Sequence, residues 1–413
     1  MAESCNFNCS APQVPYLPDS DISGAGVVVN YVATAALAVL IIFVYYVTIH
    51  DPSIDPFNTT RGGALSDRHN PLDDLLLRCL RSGPAYISKH VLGSRQILSP
   101  RAWSQLERVL IKVKSIHSGH TSHICLLLMS DLQIVTGFAI LLSGFTQFQC
   151  GLAALNWRII LDLAWFSCLT HLSCLTMLRR HLYTHTFERA WRLFAMGVLA
   201  VLLAVGLLLT ANPKWLLLTE DTRATPAVCI LGCYLKPGPN KKWVEIIPEE
   251  ELWNSLEWFW TPIISAIFIV VAFFSRVVRL HMALSVGVNR ATQRLNGQMQ
   301  RLLWVLFRVL CTEGDIYSLK RSLGYRPVFA IVMVLRFVLV SWASFAVEVS
   351  WVLTAFLWGT WRLIKDLSPD QNMEALDFSK QAWTFGQIVS VFALAAPLIS
   401  IVGILEESEF VTS

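Results

Sequence analysis

Seven stretches of this chain are apolar over about twenty residues or more: Val27–Ile49, Ile124–Phe148, Leu152–Leu178, Ala190–Ala211, Trp258–Val278, a long one within Val328–Trp361, and Phe385–Leu405. A helix needs about 20 such residues to cross the hydrocarbon core of a bilayer. The pattern therefore predicts an all-α, polytopic membrane bundle of about seven transmembrane helices. The sixth stretch is too long for one level span and barely enough for two. It is read as one tilted helix that emerges from the membrane; two helices there would make eight and reverse the C-terminus.

The polar intervals complete the plan: an N-terminal tail (1–26), a first span (27–49), a loop (50–122), and a main bundle (123–413) interrupted by loops at 212–257 and 276–326. Lys and Arg orient it, because cytoplasmic loops carry the excess. The stretches His50–Ser122, Arg179–Arg192 and Arg276–Arg326 carry ten, four and nine basic residues. Opposite them, Met1–Gly26 carries none, Asn212–Leu256 five and Arg362–Gln381 three. Setting the long first loop aside, thirteen face eight, so the N-terminus is expected in the lumen or exterior. Ser99–Ile116 and Arg294–Leu310 (with Leu302, Leu303, Leu306 and Leu310 on one side) alternate apolar and basic residues at helical spacing. Both fit amphipathic helices, lying on the anionic leaflet or packed under the bundle.

Composition agrees, with 54% hydrophobic and 15% charged residues against roughly 25% charged in soluble domains. The net charge of +4 and the scattered arginines give no nucleic-acid arm. Met1–Gly26 has no secretory leader pattern, so the first apolar stretch is expected to stay as an anchor. Cys5, Cys9, Cys150, Cys229 and Cys233 fall on the expected lumenal side, where disulfides are permitted. Cys150 with Cys229 or Cys233, and Cys5 with Cys9, are possible pairs. Asn8 and Asn58 sit in glycosylation sequons, and only Asn8 is expected on the lumenal side.

Three carboxyl residues within the spans carry the chemical interest: Asp131, Asp162 and Glu348. A charge at mid-bilayer costs about 2.5–3.5 kcal/mol even on lenient scales, so each marks an interior, a cavity or a site. Arg158 and Asp162 stand four apart and stack on one helix face, which suggests an intrahelical ion pair. Phe166 and Ser173 share that face, which could equally line a cavity. His171 points about 180° away and is expected to find its partner on a neighbouring helix. Glu348 would share a face with Ser341, Ser344 and Trp351 and has no partner on its own helix. Burial without a partner keeps a carboxyl protonated, which makes Glu348 a candidate proton donor.

Carboxyls and aromatic rings with few other functional groups suit acid-initiated chemistry on a bilayer-soluble substrate. A buried acid protonates an epoxide or alkene, and ring faces stabilise the cation that develops. A seven-helix receptor also fits the span count, but no acidic-Arg-aromatic triplet follows the third span, and the last has no NPxxY ending. Intramembrane carboxyls would suit a small-solute transporter as well. No aspartate-rich motif for magnesium and diphosphate lies in the spans, and no Gly-x-Ser-x-Gly, His-Glu-x-x-His or phosphate-cradling glycine loop occurs.

The block Ser130-Asp131-Leu132-Gln133-Ile134-Val135-Thr136-Gly137, continuing through Ala139 to Phe145, resembles one common in fungal multi-span proteins. So does Ala164-Trp165-Phe166-Ser167-Cys168-Leu169-Thr170-His171-Leu172, ending at Leu178-Arg179. Among characterised proteins these are similar to the integral-membrane terpene cyclases of fungal meroterpenoid pathways, the ascofuranone and macrophorin type. That resemblance implies cyclisation of a prenylated, usually farnesylated, aromatic substrate, with no metal, cofactor or diphosphate release. The expectation is an enzyme of the endoplasmic reticulum membrane whose partners are its lipophilic substrate and lipids. Glu348 or Asp162 would donate the proton and Asp131 would be a second acid or a base. Trp165, Phe166, His171, Ser344 and Trp351 would line the substrate pocket.

Overall fold

The computed structural model describes residues 20–48, 50, 70, 72–80, 120–147, 152–211, 249–310, 326–367, 383–395 and 399. The expectations for Ser99–Ile116, for both sequons and for the lumenal cysteines fall outside them. After a helical turn at Ser20–Ser23, the described chain is helical throughout, with no strand among these residues. The helices are α1 (Ala25–Thr48), α2 (72–80), α3 (His120–Gln147), α4 (Ala154–Met177), α5 (Arg179–Thr184), α6 (Thr186–Thr210), α7 (Glu249–Leu280), α8 (Met282–Leu310), α9 (Arg326–Ala343), α10 (Phe345–Leu367) and α11 (Phe385–Ala395).

Five of them, α1, α3, α4, α6 and α7, are long and apolar enough to cross a membrane, and α9 with α10 makes a sixth if counted as one broken span. α11 is apolar but short. The single tilted helix expected within Val328–Trp361 is thus corrected to two helices with a sharp bend at Ser344. α7 begins inside the expected lumenal loop, several residues before the apolar run.

The described residues cluster into two compact units. The first draws on Met1–Ile42, Arg108–Arg276 and Val352–Ser413. Its centre is α4, whose apolar window is buried on every side. α3 and α6 pack against it, and glycines let helices come close. A Cβ on Gly206 of α6 would lie 2.5 Å from the Leu161 side chain, and one on Gly359 of α10 would lie 2.5 Å from the Trp165 indole. Small residues at such contacts are how helices pack tightly in lipid. α6 shows the resulting two-faced pattern: Leu193, Met196, Leu199, Leu203 and Leu207 are buried, while Trp191, Phe194, Val198, Val201, Val205 and Leu208 are uncovered. That outer stripe follows the helical period and suits lipid contact.

The second unit draws on Phe43–Glu107 and Val277–Trp351. Its organising feature is the break at Ser344. Asp73 of α2 accepts hydrogen bonds from the Phe345 and Ala346 amides (3.0 and 2.8 Å) and from the Ser344 hydroxyl (2.7 Å). These are orphan donors of a helix N-terminus, so the carboxylate caps α10 and favours its start there. Asn70 bonds the Leu72 amide at the head of α2 and the Val340 carbonyl of α9. Phe345 stacks on His50 and Tyr46 from the end of α1 (centroids 4.7 and 5.7 Å). The amphipathic helix expected at Arg294–Leu310 is the second half of α8. Leu302, Trp304, Val305 and Phe307 there are about half exposed.

Candidate functional site

The first unit brings two Arg-x-x-x-Asp pairs together. Arg158 and Asp162 lie on α4, Arg362 and Asp366 on α10, and the helices meet antiparallel. Arg158 donates to Asp366, and Arg362 donates to Asp162. The expected Arg158–Asp162 pair within α4 is therefore corrected to a crossed clasp between helices. The reason is geometric: each guanidinium finds an opposing carboxylate directly across the interface, where charge-assisted bonds form without bending back along its own helix.

Asp162 is fully buried, and its Oδ2 has no hydrogen-bond donor among the described residues. The Asp366 carboxyl stands beside it within side-chain hydrogen-bonding reach. Other polar groups around this cluster bond to one another. Arg362 also donates to Ser265 Oγ of α7 (3.0 Å), which accepts the Trp358 indole N–H (2.9 Å) and donates to the Thr261 carbonyl (2.7 Å). The guanidinium of Arg362 lies over the Trp165 ring, 5.6 Å from its centroid. Trp165 in turn donates to the Ala355 carbonyl at 3.0 Å, lying across Gly359. Phe166 meets Phe356 edge-to-face, and Trp358 pairs with Phe268 and Trp361. The arrangement is a largely buried acid–guanidinium cluster bordered by indole and phenyl rings.

The other expected site residues lie elsewhere. Asp131 of α3 takes both Nε and Nη2 of Arg192 on α6 (3.0 and 2.9 Å), and Arg192 Nη1 also donates to Glu188 (3.0 Å). His171 turns away from Asp162 as expected and pairs with Ser130 Oγ of α3 at 2.5 Å. Glu348, Ser344 and Trp351 belong to the second unit. There Arg279 of α7 donates to Glu348 (2.7 Å) and to the Trp342 carbonyl. The premise of an unpartnered Glu348 is corrected: its partner comes from another helix. The shared face with Ser341 and Ser344 is corrected too, since the break places both before the first turn of α10.

Arg362, Asp366, Arg192, Arg279 and Asp73 were missed as partners. A signal existed for two of them, because the Arg158/Asp162 spacing recurs at Arg362/Asp366. No protein-family model matches this chain, and no curated protein or solved structure is similar to it.

Proposed function

We propose that this chain is an integral-membrane cyclase that acts on a prenylated, epoxyfarnesyl-type aromatic substrate by acid-initiated carbocation cyclisation, with Asp162 as the proton donor in place of Glu348. One observation carries the reading: a fully buried carboxyl with one oxygen on Arg362, the other without a donor among the described residues, a second carboxyl in the same cluster, and aromatic rings around it. Two carboxyls within hydrogen-bonding reach are satisfied by a proton held between them. Two arginines and two aspartates are neutral when both acids are ionised. With that proton the cluster carries one positive charge, and transferring it restores neutrality. The proton goes to the epoxide oxygen or terminal alkene, whose C–O or π electrons leave a cationic carbon. Ring closure follows as an internal alkene attacks. Trp165, Phe166, Phe356 and Trp358 stabilise the travelling charge. Loss of a proton from carbon to the carboxylate pair ends an isomerisation that needs no metal or oxidant.

The same reading takes the chain as crossing seven times, with α9 along the interface, the N-terminus lumenal and the endoplasmic reticulum as its membrane. Pairings between helix ends support the count of crossings. The starts of α1 and α11 meet through Asp21 and Thr384 (2.6 Å), the starts of α3 and α6 through Asp131 and Arg192, and the start of α4 meets the end of α10. The start of α10 meets the ends of α1 and α7 through Phe345 and Glu348. Counting α9 as a crossing would put those last ends on opposite sides.

The test replaces each carboxyl by its amide and assays microsomes with an epoxyfarnesyl phenol. Asp162→Asn is expected to abolish cyclised product while membrane-inserted protein remains. Glu348→Gln is expected to retain activity. Full activity in Asp162→Asn overturns the reading.

A further inference from the structure

The junction between α5 and α6 holds a cluster that the cyclisation reading does not use. His181 lies in the last turn of α5, His185 is the hinge residue, and Glu188 lies in the first turn of α6. Their ligand atoms all lie within 4.8 Å of one another. The two histidines, four residues apart, stack with centroids 4.3 Å apart and planes within 20°. Chelating histidine pairs on helices use this i, i+4 spacing.

Three details prepare the groups for a cation. His185 Nδ1 lies 3.1 Å from the His181 carbonyl, so the proton sits on Nδ1 and the lone pair on Nε2. Such a bond to the remote ring nitrogen fixes the tautomer of most metal-binding histidines. His181 Nε2 faces Glu188 Oε2 at 3.7 Å. Glu188 Oε2 is held by Arg192, while Oε1 makes no hydrogen bond or ion pair among the described residues. The carboxylate is thus oriented by one oxygen and open at the other. His185 is exposed and the other two are partly so, which leaves an entry path.

We propose that His181, His185 and Glu188 form a binding site for a divalent transition-metal ion, zinc foremost, with water as fourth ligand. Two imidazoles and one carboxylate suit borderline ions such as Zn²⁺ and exclude calcium or magnesium preference. Tetrahedral bonds of roughly 2.1 Å put ligand atoms about 3.4 Å apart, so from 4.8 Å the cluster closes by up to about 1.4 Å on binding. The ion would clip α5 to α6 beside the Asp131–Arg192 pair.

The test uses the full chain, purified in detergent with a tag free of histidine, stripped with chelator and titrated with Co²⁺ alone. One ion per chain is expected, with the visible absorption of tetrahedral cobalt, displacement by Zn²⁺ and a raised unfolding temperature. His185→Ala, an exposed position, should leave the metal-free unfolding temperature unchanged and weaken binding more than about tenfold. His181→Ala should do the same to binding. No saturable binding by the unmodified chain, or equal affinity in His185→Ala, overturns the proposal.

Discussion

Two centres in the first unit use the same chemistry in opposite settings. Between α4 and α10, Asp162 is fully buried and Arg362 nearly so. Between α3 and α6, Arg192 is buried while the Asp131 side chain is 42% exposed. Guanidinium meets carboxylate in both, yet the settings ask for different energetics. A pair removed from solvent repays its desolvation only through close mutual attraction, and losing one member strands a charge. A pair with an exposed member can re-solvate, so it is worth little on its own. The contrast teaches that an acidic residue in an apolar run says nothing about its role until its partner and its exposure are known.

The largest test of that contrast removes a guanidinium from the buried clasp. Arg362→Met is expected to cost about 3–5 kcal/mol, because it breaks a buried pair and leaves Asp162 without its guanidinium. The double variant Asp162→Asn, Arg362→Met should regain much of the loss, since no charge is left alone. Reversible unfolding in detergent reads both. A double variant as unstable as the single one would break the comparison, because charge stranding would not be the cause.

An intermediate effect is expected at the helix break, where a carboxylate meets backbone amides instead of a guanidinium. Asp73→Ala removes three hydrogen bonds at the start of α10. Capping losses of this kind cost about 1–2 kcal/mol. Hydrogen exchange at the Phe345 and Ala346 amides should speed up, while amides in α4 keep their protection. Unchanged exchange at Phe345 would show that Asp73 does not hold the break.

How much of this was legible in the sequence follows from locality. Spans such as Thr186–Thr210 are written in their own residues, because hydropathy over twenty positions decides whether lipid is the better solvent. The two-faced pattern of α6 follows from the same local period. The break at Ser344 is different, because Val328–Trp361 runs apolar through it with no glycine or proline nearby. What caps it is Asp73, 271 residues earlier than Ser344, and no window reaches that far. Pairing choice is non-local for the same reason. Arg158 lies four residues from Asp162 yet takes Asp366, because an antiparallel neighbour offers a carboxylate across the interface. The carboxyls were visible as a group, and only the fold separates them into a clasp, an edge pair and a second-unit pair with Arg279.

The smallest effect is expected at the exposed end of the comparison. Asp131→Asn removes one charge from a group whose other members remain: Arg192 keeps Glu188 at 3.0 Å. The remaining guanidinium is therefore still paired, and the carboxyl it loses was partly exposed. The cost should be at most about 1 kcal/mol. It should also shrink as salt is added, because exposed charges are screened over about 10 Å at 0.1 M ionic strength. The Arg362–Asp162 pair, buried on both sides, should show little such dependence in Arg362→Met. Unfolding midpoints of both variants at low and high salt make the measurement. If Asp131→Asn were as costly as Arg362→Met and as indifferent to salt, exposure would not be what separates the two centres. The difference would then lie in what each carboxyl touches, and Asp131 would have to be read with Ser130 and His171 as part of a second buried site.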